Sequence, residues 1–183
     1  MAQNSDNIKV MRPKIDGAAY VGSADSVLPT TAAAEATGFN SLGWIHEDGI
    51  TMTIDQSSVD LKGFGGEIAL TVPETHDLTF KLKPMELNEH VAKAMYGDAN
   101  VTAQDGVVTS IKINSKGTSR FKLMLDLQGV NGELVRICVP SAKVTEIGEI
   151  PIKHNDAMAG EWTIKTYPDA DGNKAYIYIA VAA

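Results

Sequence analysis

Hydrophobic and polar residues alternate along most of the chain after residue 42. Apolar side chains occupy every second position in five stretches: 50–55, 78–83, 121–128, 135–139 and 162–166. A period of two with one apolar face indicates antiparallel strands that cover a core. Turn-forming sequences separate the stretches, and Asn131-Gly132 suits the positive φ of a tight hairpin. The pattern predicts a mainly β fold, a sandwich or a barrel-like domain.

One segment has a helical period instead. Four apolar residues form a stripe with a spacing typical of an amphipathic helix: Leu87, Val91, Ala94 and Met95. Pro84 suits the first turn of a helix, Gly97 is a natural stop, and Lys83 is a poor N-cap. We expect a single helix near residues 84–96 that flanks the sheet.

The ends of the chain differ from its middle. Residues 1–17 are polar, with Ile8, Val10 and Ile15 as scattered apolar positions, and predict an extended arm that is disordered or laid on a neighbour. Residues 18–183 are expected to form one β domain. The last strand, near 175–181, is apolar on both faces and is expected to be buried on both sides or to pack on another subunit. Four aromatic residues are expected in the core: Trp44, Phe80, Phe121 and Trp162.

Composition narrows the class of protein. The chain has 183 residues, 44% of them hydrophobic, and a mean hydropathy of -0.08. No apolar run approaches the roughly 18 residues that span a bilayer, so no membrane association is expected. The net charge of -7 argues against a protein that grips nucleic acid and is compatible with a surface that repels it. The single cysteine, Cys138, excludes an internal disulfide and is expected as a buried thiol in a reducing cytoplasm.

Known chemical motifs are absent from the sequence. The glycines at 63–66 lack the third glycine and the following helix of a dinucleotide fingerprint, and lack the ending of a P-loop. The stretch 169–173 resembles part of a calcium loop, but Lys174 and Ala180 replace its glycine and glutamate. No two of the four histidines stand at metal-ligand spacing, and no nucleophile elbow occurs. We therefore predict no enzyme activity, no cofactor and no metal.

A glycine-rich hairpin raises a different possibility. The stretch QSSVDLKGFGG (56–66) is expected to project from the sheet between two strands. Phe64 lies among glycines near its tip, where a large apolar side chain is costly to leave in water. Either Phe64 contacts a partner, or it folds back over its own hairpin.

Several stretches together resemble the major tail protein, or tail tube subunit, of long-tailed bacteriophages. They are spread over most of the chain: NSDNIKVMRPKIDGAAYV (4–21), SLGWIHEDGI (41–50), DLKGFGG (60–66), VAKAMYGDANVT (91–102), RICVPSAKVTEIGEI (136–150) and EWTIKTYPDADGN (161–173). The resemblance implies a β-sandwich or barrel-like domain with a flanking helix, and a structural role in the virion.

The resemblance also implies how copies of the chain assemble in the cytoplasm of a bacterial host. Six copies make a ring, and rings stack into a hollow tube through which double-stranded DNA passes without specific binding. A tape measure protein and tail tip or terminator proteins are the implied partners. Residues expected at the contact between rings are Leu61, Lys62, Gly63, Phe64 and Gly65. The arm would add Ile8, Val10 and Ile15, and the acids expected to face the lumen are Asp126 and Glu133.

Two other functions stay open at this stage. A monomeric β-sandwich binding module, such as a capsid decoration or adhesin domain, would have the same strand pattern but a specific ligand. A hydrolase with dispersed carboxylates is a further alternative and predicts a concave acidic cleft.

Overall fold

The computed structural model describes residues 8–14 and 17–180. The strands are β1 (Met11–Pro13), β2 (Ala19–Gly22), β3 (Phe39–Ser41), β4 (Ile45–Lys62), β5 (Ile68–Pro84), β6 (Val101–Gln104), β7 (Val107–Ile111), β8 (Phe121–Gly129), β9 (Leu134–Ile147), β10 (Trp162–Thr166) and β11 (Tyr176–Ala180). The helix α1 spans Glu89–Tyr96, and a short 3-10 turn follows at Asp98–Asn100. The prediction of a mainly β fold with one helix is confirmed for this part of the chain.

Nine of the described strands form one antiparallel sheet. Its order is β3-β2-β8-β9-β10-β5-β4. The strands β1 and β2 pair with successive parts of the same edge of β8. In the same way, β10 and β11 pair with successive parts of the same edge of β9. The strands β6 and β7 make a separate hairpin. The central hairpin β8–β9 therefore has neighbours along both of its edges.

The core lies on one face of this sheet. Leu125 of β8 and Ile137 of β9 are directly opposite each other, and both belong to one buried cluster. Phe80, Trp162 and the α1 residue Val91 join the same cluster. The predicted core positions Phe80, Phe121 and Trp162 are all buried. Helix α1 thus packs its apolar stripe against the face that the strand alternation predicts.

The opposite face of β8–β9 is also buried, which the alternation did not predict. The loop 23–38 crosses this face and is held by side chains of the sheet. The Cys138 thiol lies 3.6 Å from the Pro29 carbonyl oxygen, and the Arg136 guanidinium donates to the Ala34 carbonyl oxygen. A loop of small residues can lie close to a sheet, so these strands carry buried side chains on both faces.

The helix begins later than the sequence predicted. Pro84 ends β5, and α1 starts at Glu89 with Asn88 as its N-cap. The Asn88 side-chain oxygen accepts a hydrogen bond from the Val91 N–H at 2.9 Å. Asparagine satisfies a free helix N–H that Lys83 cannot, which explains the later start.

Two further expectations about burial were wrong. Trp44 is 76% exposed, because it lies in the link between β3 and β4 and not on a core-facing strand position. The last strand is not buried on both faces, because β11 is an edge strand beside β9 and its Ile177 and Ile179 are exposed. The other expectation for this strand, contact with another subunit, stays a prediction.

Candidate assembly surface

The hairpin β4–β5 is the longest feature of the fold. Its pairing continues from Ile45–Pro84 at the base to Lys62–Ile68 at the far end. The strand β10 covers the edge of β5 only as far as Thr79. Beyond that point two strands continue alone, for roughly 30 Å at about 3.4 Å per residue. Every residue from 54 to 76 is exposed except Gly63, which is half-buried.

The far part of the hairpin has one apolar face. Antiparallel residues that are directly opposite share a face, and Val59 pairs with Val72 while Leu61 pairs with Leu70. A register shift between Leu61 and Lys62 places Ile68 opposite Lys62 and outside this face. The other face is polar, with the Thr71 hydroxyl donating to the Asp60 carboxylate at 2.6 Å. This apolar face, called here the hairpin face, consists of Val59, Leu61, Leu70 and Val72.

A β-bulge sets the direction of the hairpin face. Ser57 pairs with Thr75 and Ser58 pairs with Pro73, so Glu74 is an extra residue in β5. In β4 the apolar residues stand at even positions before the bulge and at odd positions after it. A bulge of this kind bends a strand and turns its side chains. The hairpin face is therefore on the opposite side of β4 from the residues that point towards the core.

The tip of the hairpin is a tight turn that presents Phe64. The Gly66 N–H donates to the Gly63 carbonyl at 2.9 Å, and the Gly63 N–H donates to the Glu67 carbonyl at 2.8 Å. Gly66 has a φ of 90°, a conformation that glycine adopts without steric cost. Phe64 reaches 114% of its reference exposure and does not fold back over the hairpin. Of the two interpretations open from the sequence, the structure excludes a Phe64 covered by its own chain.

Ion pairs hold the base of the free part of the hairpin, which is the part of β4–β5 beyond Thr79. The Asp77 carboxylate accepts from the Lys165 ammonium at 3.0 Å and from the Lys174 ammonium at 3.3 Å. Hydrogen bonds from these two lysines hold the pKa of Asp77 below its ordinary value of 3.8. Lys174 also donates to the His76 carbonyl oxygen. These contacts join the hairpin to β10 and to the segment before β11 at the point where the third strand ends.

The N-terminal arm lies on its own subunit where the structure describes it. Met11 pairs with Gly129 in β1–β8, and the Val130 N–H donates to the Val10 carbonyl at 3.2 Å. The edge of β8 beyond β2 is otherwise open, which explains why the arm pairs there. Ile8 and Val10 keep exposed side chains, and their contact with a neighbour stays a prediction. Ile15 lies outside the described residues.

The two acids expected in the lumen are both buried and paired. The Asp126 carboxylate accepts from Arg136 Nε at 2.6 Å and Nη2 at 2.8 Å, and this contact raises the pKa of the Arg136 guanidinium. Glu133 accepts from Lys9 at 2.5 Å, which lowers the pKa of Glu133. Each negative charge has a cation beside it within the subunit. Their orientation towards a lumen concerns the assembled ring and stays a prediction.

Sequence reasoning found the tip but missed most of the hairpin face. Leu61 and Phe64 were expected at the contact, whereas Val59, Leu70 and Val72 were not. The predicted projection ended at residue 66, whereas the free part of the hairpin continues through 67–72. The signal was available in the polar stretch 55–58, which interrupts the apolar alternation of β4 between its core-facing part and its far part.

This β domain with its long exposed hairpin is similar to proteins of a known family. A family model described as phage tail tube protein matches residues 1–182. The chain belongs to the phage tail tube protein family. This tail tube protein is accordingly a structural component of the phage virion, in a family whose role is structural and not enzymatic.

Among solved structures, the tail tube protein is similar to the anti-feeding prophage cap, a tube-terminating cap known from cryo-EM. The TM-score is 0.46 at 16% sequence identity, and the match covers 98% of this chain and 100% of the cap chain. No curated protein sequence matches the chain.

The described residues contain no group of three or more histidine, cysteine, aspartate or glutamate side chains placed to hold a metal ion. None of the helices in residues 8–14 and 17–180 is both long enough and apolar enough to span a membrane.

Proposed function

We propose that six copies of this protein form a ring, and that rings stack into the hollow tube of a phage tail. The tube is the conduit through which the genome leaves the virion. Subunits made in the cytoplasm of the bacterial host assemble there around a tape measure protein, between tail tip and terminator proteins. Membership of the phage tail tube protein family supports a role in the tail. The exposed hairpin β4–β5 supports the stacking of rings.

The observation that carries the proposal is the hairpin face together with Phe64. A two-stranded hairpin without a third strand is marginally stable in water. Contiguous exposed apolar side chains on a protein surface mark an interaction site. In the proposed tube, the hairpin face and Phe64 contact the adjacent ring, which removes them from water and supplies the missing support.

Charge supports a conduit that does not hold DNA. The net charge of -7 makes the average surface of the subunit repel phosphates. At physiological salt the screening length is about 8 Å, so only charges on the lumen wall act on the passing DNA. Asp126 and Glu133 are the acids proposed for that wall, and their paired state leaves only a weak local field to act on DNA.

Negative-stain electron microscopy of the purified subunit across a concentration series tests the proposal. We expect six-fold rings and hollow tubes that lengthen as the protein concentration rises. Single small particles at every concentration, also after addition of tail tip complexes, would contradict self-assembly. That result would favour a monomeric β-sandwich binding module.

A further inference from the structure

A second exposed apolar feature lies at the opposite end of the same hairpin. A groove of about 490 Å³ is lined by residues from β1, β3, the start of β4 and the segment after β5: Pro13, Lys14, Gly17, Ala18, Ser41, Gly43, Trp44, Ile45 and Glu86. Ile45 is paired with Pro84, at the base of β4–β5. The groove and Phe64 are therefore separated by the length of the hairpin, about 50 Å of paired strand.

The groove is held in shape by contacts that leave its aromatic side chain free. The Trp44 N–H donates to the Glu86 carboxylate at 2.9 Å, and the Met85 N–H donates to the Trp44 carbonyl at 2.7 Å. Gly43 has a φ of 76° and passes so close to the Glu86 carboxylate that a Cβ there would collide with it. The backbone of Trp44 is thus fixed on both sides, while its indole is 76% exposed.

The groove and the tip carry complementary charges around their aromatic residues. At the tip, Lys62 and Glu67 stand on either side of Phe64 in the turn. In the groove, Lys14 and Glu86 line the walls beside Trp44. Within the described part of the chain, neither Lys62 nor Glu67 forms an ion pair. One docking orientation therefore places each lysine near a carboxylate while the two aromatic rings meet.

We propose that this groove receives the hairpin tip of a second copy of the same chain, with Phe64 against Trp44. The inference rests on the proposed stacking of rings and identifies the surface that completes it. Because tip and groove lie at opposite ends of one hairpin, the contact is head-to-tail. A head-to-tail contact does not close between two copies, and between stacked rings it can repeat from each ring to the next.

Another apolar groove, beneath α1, is the competing receiver. It measures about 290 Å³ and includes Leu87, Ile113, Ile152 and Met158. Its lining contains no lysine or arginine, so it offers no cation to Glu67. The charge pattern of the tip therefore fits the Trp44 groove better.

Paired cysteines distinguish the two grooves while leaving Phe64 and Trp44 in place. One variant combines Gly65→Cys at the tip with Ser41→Cys in the Trp44 groove. Its matched control combines Gly65→Cys with Ile152→Cys in the competing groove. A disulfide needs Cα atoms within about 7 Å, so neither pair closes within one chain. Cys138 is buried and its burial raises the thiol pKa to about 11, which keeps it out of the reaction.

After mild oxidation, we expect the Ser41→Cys pair to give a ladder of covalent multimers on a non-reducing gel, and the Ile152→Cys pair to give none. We also expect Trp44→Ala to lower tube yield at least tenfold and Ile152→Ala to change it less than twofold. A ladder from the Ile152→Cys pair alone would overturn the assignment of the Trp44 groove. Tubes of the Ser41→Cys pair that give no ladder would overturn it too. In both cases the proposed stacking of rings would still hold. Absence of tubes from the unsubstituted protein would instead overturn the proposed function itself.

Discussion

Two hairpins of this protein end in the same turn and have different surroundings. Gly63–Glu67 closes β4–β5, and Gly129–Glu133 closes β8–β9. In both, the first N–H of the turn donates to the carbonyl of the glutamate at 2.8 Å. In both, the fourth residue is a glycine with a positive φ, 90° at Gly66 and 87° at Gly132. A turn with these hydrogen bonds and this glycine is a common way to close a hairpin.

The difference lies in the strands beside each hairpin. β8–β9 has β1 and β2 along one edge and β10 and β11 along the other, and Lys9 pairs with Glu133 at its end. β4–β5 loses its third strand after Thr79. The same type of turn thus closes a core hairpin in one place and a free hairpin in the other. Neighbouring strands decide whether the apolar face stabilises the subunit or is available to a partner.

The largest effect expected from this comparison concerns assembly. We predict that removal of residues 58–74 from the free hairpin abolishes tubes. In this variant an Asn-Gly turn joins Ser57 to Thr75, which are paired in the structure. The subunit should stay folded, since the removed residues make no contact with the core. Electron microscopy measures the tubes and circular dichroism the fold. Replacing Val130 by serine at the other turn is the control and should leave tube formation intact.

A matched pair of leucines compares how much each hairpin contributes to the stability of the subunit. Leu125→Ala in β8 should lower the free energy of unfolding by about 2–5 kcal/mol, because it leaves a cavity in the core. Leu70→Ala on the hairpin face should change it by less than about 0.5 kcal/mol, since Leu70 is exposed. Denaturant unfolding of the two variants under conditions that keep the protein monomeric gives both values. Equal losses would mean that the free hairpin is part of the subunit core.

The two turn glycines sharpen the comparison further. Gly132→Ala forces alanine into a positive φ and should cost roughly 1 kcal/mol of unfolding free energy. Gly66→Ala meets the same strain, but the free hairpin can open locally without unfolding the domain. We expect its global stability to stay unchanged while hydrogen exchange near the tip accelerates. A Gly66→Ala loss as large as that of Gly132→Ala would show that both hairpins unfold as one unit.

The smallest expected effect is a dependence on pH at the base of the free hairpin. Because the pKa of Asp77 is lowered in the folded protein, its ion pairs stabilise above the ordinary value of 3.8. That contribution is lost as the pH falls through the lower folded value. We expect hydrogen exchange of residues 76–78, corrected for the intrinsic exchange rate at each pH, to show less protection below pH 3.8 than above it. Asp77→Asn should remove this dependence, and an unaltered profile in that variant would contradict it.

Local sequence was sufficient for much of the fold. The alternation in β8 and β9 identified the core face at Leu125 and Ile137, since inward residues recur every second position. Turn chemistry located Gly132 and the tip near Phe64. These features depend only on residues close together in sequence, which explains why they were predicted from one chain.

What escaped prediction depends on distant residues. The end of β5 at Pro84, which leaves room for the N-cap Asn88 before α1, is set by pairing with Ile45. Burial of the outer face of β9 requires Arg136 to hold the loop carbonyl of Ala34, about a hundred positions away. The groove around Trp44 joins residues that lie far apart in the sequence, from Pro13 to Glu86. The sequence therefore did not predict it, and Trp44 was expected in the core.

A helical reconstruction of the assembled tube by cryo-EM is the most direct test of the central claim. We predict that density for β4–β5 leaves its own ring and that Phe64 contacts a subunit of the adjacent ring. Density that keeps the whole hairpin within its own ring, or free in solvent on the tube surface, would contradict it.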